Sequence, residues 1–246
     1  MGIDYAGLVD HEASQLAAVA RQGPLDWAVP ACPGWDVGRL VGHLGRVHRW
    51  ATEAVTTGAE PDQSGLERPP RGPEVAEWYE AGIKPLVDAL RAPPRVPGGW
   101  NFMGASDPDG TFWARRQAIE TSIHRWDGED AVGGEDDAPP IDAALASDGI
   151  DERLVVWSPW TLAGKDGIDI GGSVHVHCTD VAGEWTFKTD DGVLVVDRGH
   201  AKGDAALRGP ASSLLLVLWG RLQPGEQSTE VLGDGAVLDR WLALGE

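Results

Sequence analysis

Glu120 and His124 stand four residues apart in a stretch whose apolar positions recur with a helical period, so both side chains leave one face about a turn apart. Placed at 100° intervals, Phe112, Ile119, Ile123 and Trp126 form an apolar face. The adjoining stripe reads Trp113, Gln117, Glu120, His124 and Asp127. Four polar groups therefore border a face that belongs in a core, and each would cost roughly 1–3 kcal/mol if buried unpaired. A carboxylate and an imidazole on successive turns can hold a metal ion, as they do at three-residue spacing in di-iron bundles. A buried Glu–His hydrogen bond answers the same pattern, and the pair alone does not decide between the two.

The elements that must position this pair are helices. Apolar spacing predicts a first helix over 4–22, closed by Gly23-Pro24, and a second over 36–57, with Asp36 placed to cap it. Between them, 25–35 carries Pro30 and Pro33 and reads as an ordered, extended connection. The second helix presents Leu40, Leu44, Val47, Trp50, Ala51 and Ala54 on one face, and His43 falls within it. A histidine there is most often a core residue bonded through one ring nitrogen. If this face meets the helix of 113–130, however, His43 lies opposite Glu120 and His124. His48 is about 140° away around the helix and does not share that centre. A third helix is expected over 73–92, kinked or broken at Pro85. The run 93–110, rich in proline and glycine around Trp100, reads as a functional loop over the mouth of an antiparallel four-helix bundle.

Gly133 to Pro140 is acidic and ends in two prolines, which places a domain boundary there, with a bundle domain over 1–135 and a second domain over 140–246. The second half changes period. A short helix over 141–156 precedes strands at 172–178, 184–189 and 192–197, with Asp190-Asp191-Gly192 as a hairpin turn. A fourth strand over 205–208, an apolar helix over 211–220 and a last helix over 235–244 complete a small antiparallel sheet covered by helices, an α+β unit. His175 and His177 project from one face of their strand with Cys178 on the other; no further ligands stand near them in the sequence, so they read as an exposed or hydrogen-bonded pair.

The 246 residues carry 20 Lys and Arg against 39 Asp and Glu, a formal charge of −19. That balance argues against nucleic acid or an anionic membrane as partner. No basic segment followed by an apolar run opens the chain, and no apolar stretch reaches membrane-spanning length, which reads as a soluble cytoplasmic protein. Cys32 and Cys178 form no CxxC pair, so no disulfide framework or zinc ribbon is indicated. Phosphate-binding GxxxxGK[ST], GxGxxG after a strand and the GxSxG elbow are all missing from the sequence.

His43, Glu120 and His124 together make a set of two imidazoles and one carboxylate. Such a set suits a borderline divalent ion such as Zn²⁺ and leaves a fourth position open, the mark of a catalytic site. The stretches 29–37 (VPACPGWDV), 40–44 (LVGHL) and 120–127 (ETSIHRWD) resemble the mycothiol-dependent maleylpyruvate isomerase family, within the DinB-like group of metal-binding bundles. The stretches 206–211 (ALRGPA) and 218–221 (LWGR) resemble that family's C-terminal domain, which is similar to sterol-carrier folds. The resemblance implies zinc on His43, Glu120 and His124, mycothiol as a thiol cosubstrate, and an actinobacterial origin, with which the scarcity of lysine is compatible. It implies too that Arg221 faces the substrate and helps hold a carboxylate, with Arg208 as second choice; capping a helix end is the plain alternative for Arg221. Gln117 and Asp127 are placed to orient the metal ligands, and Trp35 and Trp100 to line the entrance. The expected enzyme is thus a zinc-dependent, mycothiol-using S-transferase or cis–trans isomerase acting on a small electrophile. A metal-dependent hydrolase that activates water and a non-catalytic small-ligand-binding protein are the alternatives.

Overall fold

The computed structural model describes residues 2–93, 98–107, 109–134 and 138–244. It falls into two compact units, Met1–Pro139 and Pro140–Glu246. Part of the 93–110 loop (94–97 and 108) and the centre of the 133–140 boundary (135–137) lie outside the described residues.

Unit 1 is built from α1 (Tyr5–Gln22), α2 (Val37–Thr57), α3 (Glu74–Arg91) and α4 (Phe112–Gly133). Asp4 and Asp36 cap α1 and α2 by accepting from the amides of Gly7 and Arg39, and Gly58, at φ 71°, ends α2 in the left-handed conformation. Helices α1 and α2 each pack on both α3 and α4, so the consecutive pair α1 and α2 lie diagonally across the bundle. Helix α3 runs unbroken through Pro85, so of the expected kink or break the break does not occur. The missing amide is outweighed by Ile83, Leu86 and Val87, which are buried on either side of it.

Helix α4 is the most thoroughly buried of the four. It is buried on nearly every side, polar positions included: Arg116, Gln117, Thr121, Ser122, His124, Arg125 and Asp127 are all inside. The two-face pattern expected of it is therefore too simple. Partners supplied by neighbouring helices carry the difference. Arg125 donates to Glu12 Oε2 of α1 at 2.6 Å and to Glu129 at 2.7 Å, and also reaches the Pro139 carbonyl. His48 of α2 sits 3.0 Å from Thr121 Oγ1 and is fully buried. Burial drives its pKa down to about 3, well below the usual 6.5.

Unit 2 begins with α5 (Ala143–Glu152), continues through a π-helical turn, Arg153–Trp157, and ends its first segment with α6 (Ser158–Leu162). The strands β1 (Ser173–Cys178), β2 (Glu184–Asp190), β3 (Val193–Arg198), β4 (Ala205–Gly209) and β5 (Glu230–Gly233) form one sheet in the order β3-β2-β1-β4-β5. Helix α7 (Ala211–Leu218) is buried all round, and α8 (Gly235–Ala243) packs on β1 and β4. The α+β class holds, but the sheet is mixed: β1 and β4 are parallel, the other pairs antiparallel. Parallel pairing follows from where β4 lands. The connection 199–204 leaves β3 beside Glu184 and re-enters the sheet beside Val174, and so passes over β1. The β2–β3 turn is as expected, with Asp191 at φ 48° and Gly192 at φ 77°, the pair of left-handed residues that a two-residue hairpin needs. Strand β5 escaped the sequence reading because all four of its residues are exposed and carry no alternation.

Candidate metal centre

His43 comes from the second turn of α2, and Glu120 and His124 come from the middle of α4, the two helices packing together. Glu120 Oε1 lies 3.3 Å from His124 Nε2 and 3.8 Å from His43 Nε2. The two imidazole rings meet edge to face, 5.4 Å between centroids. One ligand atom from each residue falls within 4.8 Å of the other two. The side chains are graded in access: His43 is 38% exposed, Glu120 20% and His124 10%. A buried pair and an accessible third ligand leave the cluster open on one side.

Neighbours fix each donor. Arg116, 2% exposed, donates to Glu120 Oε2 at 2.7 Å and leaves Oε1 to face the histidines. Asp127 Oδ2 lies 2.8 Å from His124 Nδ1, which directs Nε2 towards Glu120. Burial alone would raise the Glu120 carboxyl, but the charges and hydrogen bonds of His124, His43 and Arg116 hold it well below the usual carboxylate range. For His124, burial is likewise outweighed, by the Glu120 charge and the bond to Asp127, and its pKa rises to about 9.

The segment before α2 supplies the wall of the site. Expected as extended, 25–35 instead folds back on itself: Ala28 bridges Asp36, Val29 N–H donates to the Trp35 carbonyl, and Gly34 turns the chain at φ 78°. The turn sets the Trp35 ring 4.8 Å from His43 and 6.4 Å from His124. It also brings Cys32 Sγ to 3.7 Å from Asp127 Oδ2, so Cys32, His124 and Asp127 are a second ligand-like set sharing one histidine. Trp100 does not join Trp35 there; it packs with Trp50 and Trp113 in an aromatic cluster. Gln117 is buried and its Oε1 has no partner among the described residues.

Arg116 is the participant that the sequence reading missed, although its four-residue spacing to Glu120 was a readable signal. In unit 2, Arg221 donates to the Trp219 carbonyl at 2.7 Å beyond the end of α7, and Arg208 is paired with Glu230 across β4 and β5 at 3.3 Å. The His175–His177 pair is not alone, contrary to expectation. Glu184 stands opposite His177 in the β1–β2 register, and His200 comes over from the connection after β3.

A helical bundle holding two imidazoles and a carboxylate, followed by a small α+β unit, defines a protein with a candidate catalytic metal centre. Comparison with family models gives the rest: the mycothiol maleylpyruvate isomerase N-terminal domain matches residues 7–128, and the C-terminal domain of the same family matches 144–240. The chain belongs to this mycothiol-associated isomerase family. No curated protein matches it. No described helix is long and apolar enough to cross a membrane.

Proposed function

We propose that the chain is a mycothiol-dependent enzyme that adds the cosubstrate thiol to a small unsaturated electrophile and then either releases the thioether or, after rotation about the former double bond, breaks the new carbon–sulfur bond and releases the cis–trans isomer with the thiol regenerated. The observation that carries this reading is the convergence of His43 Nε2, Glu120 Oε1 and His124 Nε2 in a family named for a mycothiol isomerase. The donor set fits a borderline divalent ion of the zinc class, since Arg116 and Asp127 occupy the outward atoms of Glu120 and His124 and leave the inward ones to the ion. Such an ion supplies a positive charge that favours the thiolate form of a thiol cosubstrate at neutral pH. Glu120 is already anionic, so it needs no deprotonation to act as ligand. His43, the most exposed of the three, marks the side from which the thiol approaches. Trp35 walls that side beside His43 and limits the water that reaches it. Arg221 would hold the substrate carboxylate, with Arg208 as second choice; each would contribute a fixed positive charge.

The test is elemental analysis of the purified chain together with calorimetric mycothiol titration of the native protein and of His43→Ala. About one ion per bundle site, lost in the variant along with thiol binding, is the expected result. An ion that is lost in His43→Ala, without any thiol binding by the native chain, moves the assignment to a hydrolase in which the ion activates water. Neither ion nor thiol binding sinks both and leaves the non-catalytic binding reading. Arg221→Ala should raise KM for a carboxylate substrate at least tenfold while the metal content stays unchanged. An unchanged KM removes Arg221 from the site.

A further inference from the structure

The outer face of the unit 2 sheet brings together four ligand-type side chains that the reaction does not use. His175 and His177 leave the same face of β1, Glu184 faces His177 from β2, and His200 arrives from the 199–204 connection. Glu184 is the hub: its Oε2 lies 3.0 Å from His175 Nε2 and 2.7 Å from His200 Nδ1, and its Oε1 lies 3.3 Å from His177 Nδ1. The rings of His175 and His200 are 5.3 Å apart, and those of His175 and His177 are 5.8 Å apart. One ligand atom from each of the four falls within 4.8 Å of all the others.

We infer that His175, His177, Glu184 and His200 form a second divalent-metal site, closed by four protein ligands and structural in role. Metal–nitrogen bonds of about 2.0–2.1 Å in a tetrahedron separate the ligands by roughly 3.3 Å. Of the separations from Glu184, the 3.3 Å from Oε1 to His177 matches that value, and the 3.0 and 2.7 Å from Oε2 to His175 and His200 fall below it; an ion would spread those two pairs and draw together the ring nitrogens, which already lie within 4.8 Å of one another. Three imidazoles with one carboxylate select a borderline transition ion of the zinc class over calcium or magnesium, which take mostly oxygen. All four positions are filled by protein, so nothing is left for a substrate, which sets this site apart from the three-ligand cluster in unit 1.

The site has a mechanical purpose in the fold. The 199–204 connection crosses β1 so that β4 can pair with it in parallel, and such a crossover has few bonds of its own. It is tethered at one end by Gly199 N–H donating to the Glu184 carbonyl, and at the other by Asp204 accepting from Ser173. Gly199, at φ 113°, lets the chain leave β3 and carry His200 back over Glu184. An ion held between His200 and the two strands would clip the start of the crossover, just past Gly199, to the sheet below it. Three imidazole hydrogen bonds to one carboxylate are the alternative that needs no ion.

The experiment uses the full chain, with any affinity tag removed, stripped by a chelator and titrated with Zn²⁺ in a calorimeter; Co²⁺ loading then reports coordination by its visible absorption. The His43→Ala/His124→Ala double variant is expected to retain one equivalent, with the absorption of a four-coordinate nitrogen–oxygen site. Adding His177→Ala and His200→Ala is expected to abolish it. His200 is exposed, so its loss leaves the core intact, and circular dichroism verifies this. Failure of the bundle site is distinguishable, because in the otherwise native chain His177→Ala/His200→Ala still removes one equivalent whatever unit 1 binds. Absence of any equivalent traceable to His177 and His200 overturns the proposal. So does an equivalent that survives their removal in the His43→Ala/His124→Ala background.

Discussion

Asp127 shows how much of a candidate metal ligand's behaviour is decided one bond away from it. Its Oδ2 accepts from His124 Nδ1 at 2.8 Å and so makes Nε2 the atom that faces Glu120. Asp127→Asn keeps the shape but removes the charge, and metal affinity should fall about 10–100-fold, read by competition with a chromophoric chelator. An unchanged affinity would mean that packing alone orients His124. His48, the other buried histidine between α2 and α4, predicts a pH dependence. Its pKa is depressed to about 3 in the folded chain, so below pH 6.5 the unfolded chain binds a proton that the folded one does not. Its contribution is fully present above pH 6.5 and is lost at about 1.4 kcal/mol per unit as the pH falls towards 3. Urea unfolding of the metal-free protein between pH 7 and pH 5 should therefore show a shallower loss of stability for His48→Gln than for the native chain. Equal slopes would refute the assignment.

Among elements, α4 separates what was legible in the sequence from what was not. Its existence and span, the placing of Glu120 and His124 on one face, and the cap at Asp36 that sets the start of α2 all follow from spacing and side-chain chemistry. Its burial on nearly every side does not, because the partners that satisfy Arg116, Arg125 and Asp127 come from distant parts of the chain or from its own next turn. Arg125 makes this measurable. It joins α4 to Glu12 of α1, and Arg125→Met would leave a buried carboxylate unpaired. The expected cost is about 3–5 kcal/mol of unit 1 stability, seen as a lowered urea midpoint. A change of less than 1 kcal/mol would mean that Glu12 finds water. Strand pairing was illegible for a similar reason. Alternation located β1 to β4, but nothing local says that the chain crosses β1 before β4, and it is that crossing which adds His200 to the His175, His177 and Glu184 of the β1–β2 pair.

At the scale of the whole molecule the formal charge of −19 dominates, since like charges in a compact state repel one another more than in an expanded one. Raising NaCl from about 10 mM to 150 mM shortens the screening length from roughly 30 Å to 8 Å, and the melting temperature should rise by a few degrees. A fall would show that surface ion pairs such as Arg198–Asp151 outweigh the repulsion. Unit 1 also sets its candidate site on supports of two kinds. His43, Glu120 and His124 stand on helix interiors, whereas Cys32 and Trp35, which surround them, stand on the folded-back segment before α2. Heredity can therefore act on the two separately. A handful of substitutions or an insertion in that short segment would change what the neighbours of a bound ion accept, while the three residues proposed to grip it pass unaltered to each descendant. A lineage of this architecture can change its substrates more readily than its metal.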